Sequence, residues 1–112
     1  MQHEMRLQNA PFQMIKSGEK TIELRLFDEK RASIRKGDSL VFKNVMTSES
    51  IICEVVELHR YASFEELYAH HSKTEIGYRE KEEASPQDML SYYTIEDIQK
   101  YGVLGIEIKI TS

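Results

Sequence analysis

The stretch that most constrains this chain is Thr21-Ile-Glu23-Leu-Arg25-Leu-Phe27, in which polar and apolar residues alternate from Thr21 to Leu26. A period of two belongs to an extended strand, so Ile22, Leu24 and Leu26 share one face while Thr21, Glu23 and Arg25 share the other. One face is expected to pack on a core, and the other to carry its charges toward water or a ligand. The C-terminal run repeats the pattern, with Leu104, Ile106, Ile108 and Ile110 alternating with Gly105, Glu107, Lys109 and Thr111. It reads as a half-buried strand of a sheet or barrel.

Between and before these strands the periodicity changes. His3 to Leu7 alternates, with Met5 and Leu7 on one face, and predicts a short first strand. A helix follows, with Asn9 as its cap, Pro11 in its first turn, Phe12 and Ile15 as an apolar stripe, and Gly18 where a left-handed C-cap belongs. Beyond the Thr21–Phe27 strand, Asp28 to Lys36 reads as a charged loop, and Gly37-Asp38 as a turn before a third strand over Ser39–Lys43. Ile51 to Leu58, rich in Ile and Val, predicts a fourth strand that runs on toward Arg60. Ser63 and Glu66 form a capping box that opens a helix over about residues 64–71. Residues 72–85 are polar with few anchors and are expected to form a mobile surface loop. Ser85-Pro86 opens a further helical turn, and Thr94 caps a last helix that Gly102 ends.

At 112 residues the chain suits one domain, because two halves would each be too small to build a stabilising core readily. Hydrophobic residues are 40% of it and charged residues 30%, which predicts a globular, soluble protein rather than a disordered one. No stretch approaches the roughly 20 apolar residues of a membrane span, and MQHEMRLQ carries charge where a signal peptide is apolar. The expectation is a cytoplasmic protein with no membrane partner. Cys53 is the one cysteine and lies in an apolar run, so it reads as a buried thiol. His3, His59, His70 and His71 have no metal-ligand spacing, and neither a metal nor another cofactor is expected.

The net charge of −4 disfavours a protein that coats nucleic acid by bulk electrostatics. The charge is unevenly spread, however. Lys16 to Lys36 holds seven basic and four acidic residues, a local +3, and the remainder of the chain carries −7. Any anionic ligand is expected in that first third.

The combination of Gly18, Lys20, Glu23 and Arg25, followed by Gly37-Asp38 and by Tyr101-Gly102-Val103-Leu104, resembles the G-x-K-x-x-E-x-R signature and its sequel in small bacterial members of the ASCH family. The resemblance runs over most of the chain and is weakest at 72–85. It implies an α+β fold of the PUA-like superfamily: a small mixed β-barrel of about five to six strands with short flanking helices. It also implies a cleft beside the first helix and a role in binding RNA or a nucleoside.

In that cleft Lys20, Thr21, Glu23, Arg25, Arg31 and Tyr93 are the candidate ligand-binding residues. An Arg fork and a Lys ammonium suit phosphate or a base edge, and a carboxylate accepts from an amino group such as that of cytosine. Tyr92 and Tyr93 offer rings on which a base can stack, and Arg31, Arg35 and Lys36 a phosphate-tracking rim. The alternative is a small hydrolase acting on RNA or on a nucleoside. One branch of similar proteins cleaves the acetyl amide of N4-acetylcytidine with a Lys, a Thr and a later Glu, and Lys20 and Glu96 match two of these. Glu23 stands where that branch has its Thr, so the catalytic set under this reading is Lys20, Glu23 and Glu96, with Thr21 as a displaced hydroxyl. A plain ion-pair ladder with no ligand is the structural alternative to both. Neither the ligand nor the oligomeric state follows from the sequence.

Overall fold

The computed structural model describes residues 1–111. Five strands form one mixed sheet: β1 (Gln2–Leu7), β2 (Ile22–Leu26), β3 (Ser39–Asn44), β4 (Ser50–Tyr61) and β5 (Val103–Ile110), in the order β1-β3-β4-β5-β2. Only β1 and β3 run parallel; the other neighbours are antiparallel. Between them lie helices α1 (Asn9–Lys16), α2 (Glu29–Ala32), α3 (Phe64–His70) and α4 (Ile95–Tyr101), with a 3₁₀ turn at Pro86–Ser91. The sheet curls into a half-barrel, so the expected α+β barrel holds with five strands. The curl brings its two edge strands toward one another, and a guanidinium nitrogen of Arg25 on β2 donates to the Arg6 carbonyl of β1 at 3.2 Å. α1 is the connection that carries the chain from one edge to the other.

Two apolar clusters hold this shape. Inside the curl, Met5, Leu7, Leu40, Phe42, Ile51, Cys53, Val55, Leu104, Ile106 and Ile108 meet Phe12 and Ile15 of α1. On the outer face, Ile22, Leu24, Leu26 and Val103 are covered by Phe64, Leu67, Ile76 and Met89. The sheet near β2 is therefore buried on both sides. Gly105 suits that crowding, since a Cβ there would come within 3.2 Å of Ile22 and 3.4 Å of Leu67. A bulge between Val55 and Glu57 shifts the phase of the long β4, so that Leu58 opposes Ile106 and rejoins the inner core.

Several local expectations change. Asn9 is the first residue of α1 rather than its cap, because its side chain is taken by the fully buried Asn44, whose amide donates to it at 2.9 Å. Asp28 to Lys36 is not all loop: Asp28 caps α2 by accepting from the Arg31 backbone N–H at 3.0 Å and also pairs with its guanidinium at 3.0 Å. His70 and His71, adjacent in sequence and expected on one helix to point apart, instead converge on one ring. His71 ends α3 in extended backbone, and the two imidazoles both pack on Tyr61, whose hydroxyl is 2.9 Å from His71 Nε2. No helix of the described residues is long and apolar enough to cross a membrane.

Candidate functional site

Lys20 reaches its place through the end of α1. Gly18 takes φ +86°, which lets the chain reverse, and the Lys20 amide then donates to the Met14 carbonyl at 2.9 Å. β2 begins immediately after. Its apolar residues turn outward to the α3 layer, so Glu23 and Arg25 point into the curl on the same side as Ile106 and Leu104, their register partners on β5.

The three charges meet there. Lys20 Nζ lies 2.7 Å from Glu23 Oε1, while the Nη2 and Nε of Arg25 lie 2.7 and 2.8 Å from Glu23 Oε2. Lys20 is 8% and Glu23 3% exposed, so this is a buried triad and not a surface ladder. Burial pushes the Glu23 carboxyl up, but the charges and hydrogen bonds of Lys20 and Arg25 outweigh it and hold the group below its usual range. For Arg25 burial works against the charge, and Glu23 more than offsets it, raising the guanidinium further. Both Glu23 oxygens are thus occupied. Among the described residues, Arg25 Nη1 has no recorded partner and Lys20 Nζ has only Glu23, which leaves N–H donors free.

These donors open into a cavity of about 950 Å³ in the seam between the two sheet edges. Its walls come from the end of β1 (Arg6), from α1 (Met14), from Tyr68 of α3, from Gly77, Tyr78 and Arg79, and from Asp88, Tyr92 and Tyr93. Tyr93 stacks on Phe64 with ring centroids 6.0 Å apart, and burial raises its phenol despite the nearby Arg25 charge. Tyr92 is exposed at the rim.

Of the residues singled out in the sequence, Lys20, Glu23, Arg25, Tyr92 and Tyr93 share this cavity. Thr21, Arg31 and Glu96 are not in its lining. Thr21 is occupied by its backbone, whose N–H donates to the Glu75 carbonyl and whose carbonyl accepts from Ile108. Arg31 is drawn to Asp28, and Glu96 is exposed on the first turn of α4. Arg35 and Lys36 also lie outside.

Residues 72–85 supply what sequence reasoning missed. Ile76 is buried in the outer cluster, and the Glu75 carbonyl accepts from both Thr21 and Ile22 at 3.0 Å, so the segment is tied to the start of β2. Gly77 then passes over Lys20 at φ +110°, where a Cβ would lie 3.1 Å from the lysine Cδ. The Tyr78 hydroxyl meets that of Tyr68 at 2.8 Å and Asp88 Oδ2 at 2.8 Å. Gly77 within a polar run was the one available signal, since it marks a backbone position that other residues avoid.

A model described as the ASCH domain matches residues 5–112. The crystal structure of hypothetical protein PH0355 is similar at 31% identity, covering 99% of this chain and 100% of that one, with a TM-score of 0.84. The solution structure of protein PF0455 from Pyrococcus furiosus is similar at 32% identity over 100% and 99% of the two chains, with a TM-score of 0.77. No curated protein matches the chain.

Proposed function

This chain belongs to the ASCH domain family, and from that premise we propose that it binds single-stranded RNA or a nucleoside unit in the seam between β1 and β2. The observation that carries the reading is the buried Lys20–Glu23–Arg25 triad at the cavity wall. A structural ion pair has no need of a cavity, and taking Lys20 and Glu23 out of water with Arg25 half-buried beside them costs desolvation that makes such a cluster a poor device for stability alone. Three donors already fill most of the Glu23 carboxylate's acceptor sites, and the side chain is buried. It orients Lys20 and Arg25, whose remaining N–H groups present donors to a base carbonyl, a ring nitrogen or a phosphate. Tyr92 and Tyr93 supply aromatic surface alongside, and stacking of that kind is tolerant of base identity.

Titration calorimetry with uridine, cytidine and short single-stranded RNAs at low salt tests this. Saturable binding that is lost in Lys20→Ala is the expected result, and RNA binding should weaken with salt by a slope of about 0.7 per phosphate contacted. A flat titration for every ligand would remove the proposal. Amide hydrolysis is the less supported reading, since Thr21 and Glu96 are outside the cavity lining that holds Lys20. Release of cytidine from N4-acetylcytidine, abolished by Lys20→Ala, would reverse that ranking.

A further inference from the structure

The cavity has a second polar group, of opposite character to the first. The Tyr78 hydroxyl has three neighbours: the Tyr68 hydroxyl and Asp88 Oδ2, both at 2.8 Å, and the Ser85 carbonyl at 3.1 Å. It has one proton to give. A carboxylate is the strongest acceptor of the three, so Tyr78 donates to Asp88, and Tyr68 must then donate to Tyr78. The chain of bonds has one direction and ends on Asp88. Its other oxygen, Oδ1, has no recorded partner among the described residues, and the side chain is exposed at the cavity wall. The Asp88 carboxylate therefore offers acceptors, whereas the Lys20 ammonium and Arg25 guanidinium offer only donors.

A ligand that fits both must carry acceptors at one end and donors at the other. A phosphate alone satisfies the Lys20 end and is repelled by Asp88, and a ligand bearing only carbonyls leaves Asp88 idle. A ribonucleoside has base acceptors at one end and hydroxyl donors at the other. Arg6 and Arg79 also line the cavity, are exposed, and have no recorded ion pair among the described residues, so cations remain for the phosphates that flank the sugar in a strand. In a strand the sugar must sit toward the opening, where the backbone continues; of the two exposed carboxylates of the wall, Glu82 accepts from the Arg79 amide and Asp88 is the one fixed by the tyrosine pair to meet it.

Resting on the nucleotide-binding reading of this same site, we infer that Asp88 accepts from the ribose hydroxyls and selects ribonucleotides over 2′-deoxyribonucleotides. The 2′-hydroxyl is the group that distinguishes the two. The experiment compares calorimetric affinities for uridine and 2′-deoxyuridine, and for matched RNA and DNA oligonucleotides, in wild type, Asp88→Ala and Lys20→Ala. Wild type is expected to prefer the ribose form by about tenfold, the scale of one hydrogen bond to a charged acceptor. Asp88→Ala should bring that ratio near one while keeping the affinity for the deoxy form. Tyr78 retains the Ser85 carbonyl as an acceptor, so the variant is expected to melt as wild type does. Equal binding of both sugars by wild type, still abolished by Lys20→Ala, would overturn sugar selection and leave the cleft reading standing. Absence of saturable binding by either sugar would remove both.

Discussion

Glu23 is the residue on which the site depends, because two cations share its one carboxylate away from water. Removing its charge leaves Lys20 and Arg25 facing each other in a buried place. Glu23→Gln is expected to lose about 3 to 5 kcal/mol of stability, read from denaturant unfolding, which is the scale for breaking a buried pair from one side. The pH dependence follows from the direction of its shift. A carboxyl held below its unfolded value contributes stability that is complete above the unfolded pKa of about 4.5 and is lost as pH falls through the lower folded value. Asp38 behaves alike: a hydrogen bond from His3 and another from the Arg35 amide hold it at about 2, so its contribution fades between pH 3.8 and about 2. Thermal melts should be level from pH 7 to about 5 and fall steeply below that, and Glu23→Gln should fall less steeply. The alternation in β2 told which side chains share a face. It was silent on what lies over each face, and so the polar side read as open when it is enclosed. That both sides of β2 are covered is a tertiary fact, made by α3 on one side and by the curl of the sheet on the other.

Among the elements, the strands were legible and the covering segment was not. Apolar alternation marks β2 and β5 directly, Ile and Val content marks β4, and Ser63 and Thr94 mark the starts of α3 and α4, each accepting the N–H three residues on. Residues 72–85 have no period to read, because they are held by single contacts at distant points: Ile76 in the outer cluster, Glu75 on β2 and Tyr78 between Tyr68 and Asp88. Gly77 is the point at which this segment meets the site. Gly77→Ala introduces a side chain at a positive φ and presses on Lys20, so a stability loss of about 1 to 2 kcal/mol is expected by thermal unfolding. Affinity for the ligand should fall as well, since Lys20 must give way. A variant that melts lower yet binds as wild type would show that Gly77 shapes the backbone and not the lysine.

Over the whole molecule, the sheet order leaves β1 and β2 as edges that approach each other without pairing, and the cavity occupies the gap. The charge imbalance seen along the chain finds its physical expression there, as Lys20 and Arg25 come from the basic first third while Asp88 and Glu82 come from the acidic remainder. Arg25 spans the gap by holding Glu23 on its own strand and the Arg6 carbonyl on the opposite edge. The seam is therefore bridged by the same side chain that lines the cavity, so a ligand bound to Arg25 acts on a contact that joins the two edges. Ligand that engages Arg25 should slow amide hydrogen exchange along β1, including at Gln2 to Met5, which lie outside the cavity lining. Arg25→Lys, a point charge unable to serve both partners, is expected to speed that exchange in the free protein and to uncouple it from ligand. Exchange in β1 that ignores both ligand and Arg25→Lys would mean that the barrel is held shut by its apolar interior alone.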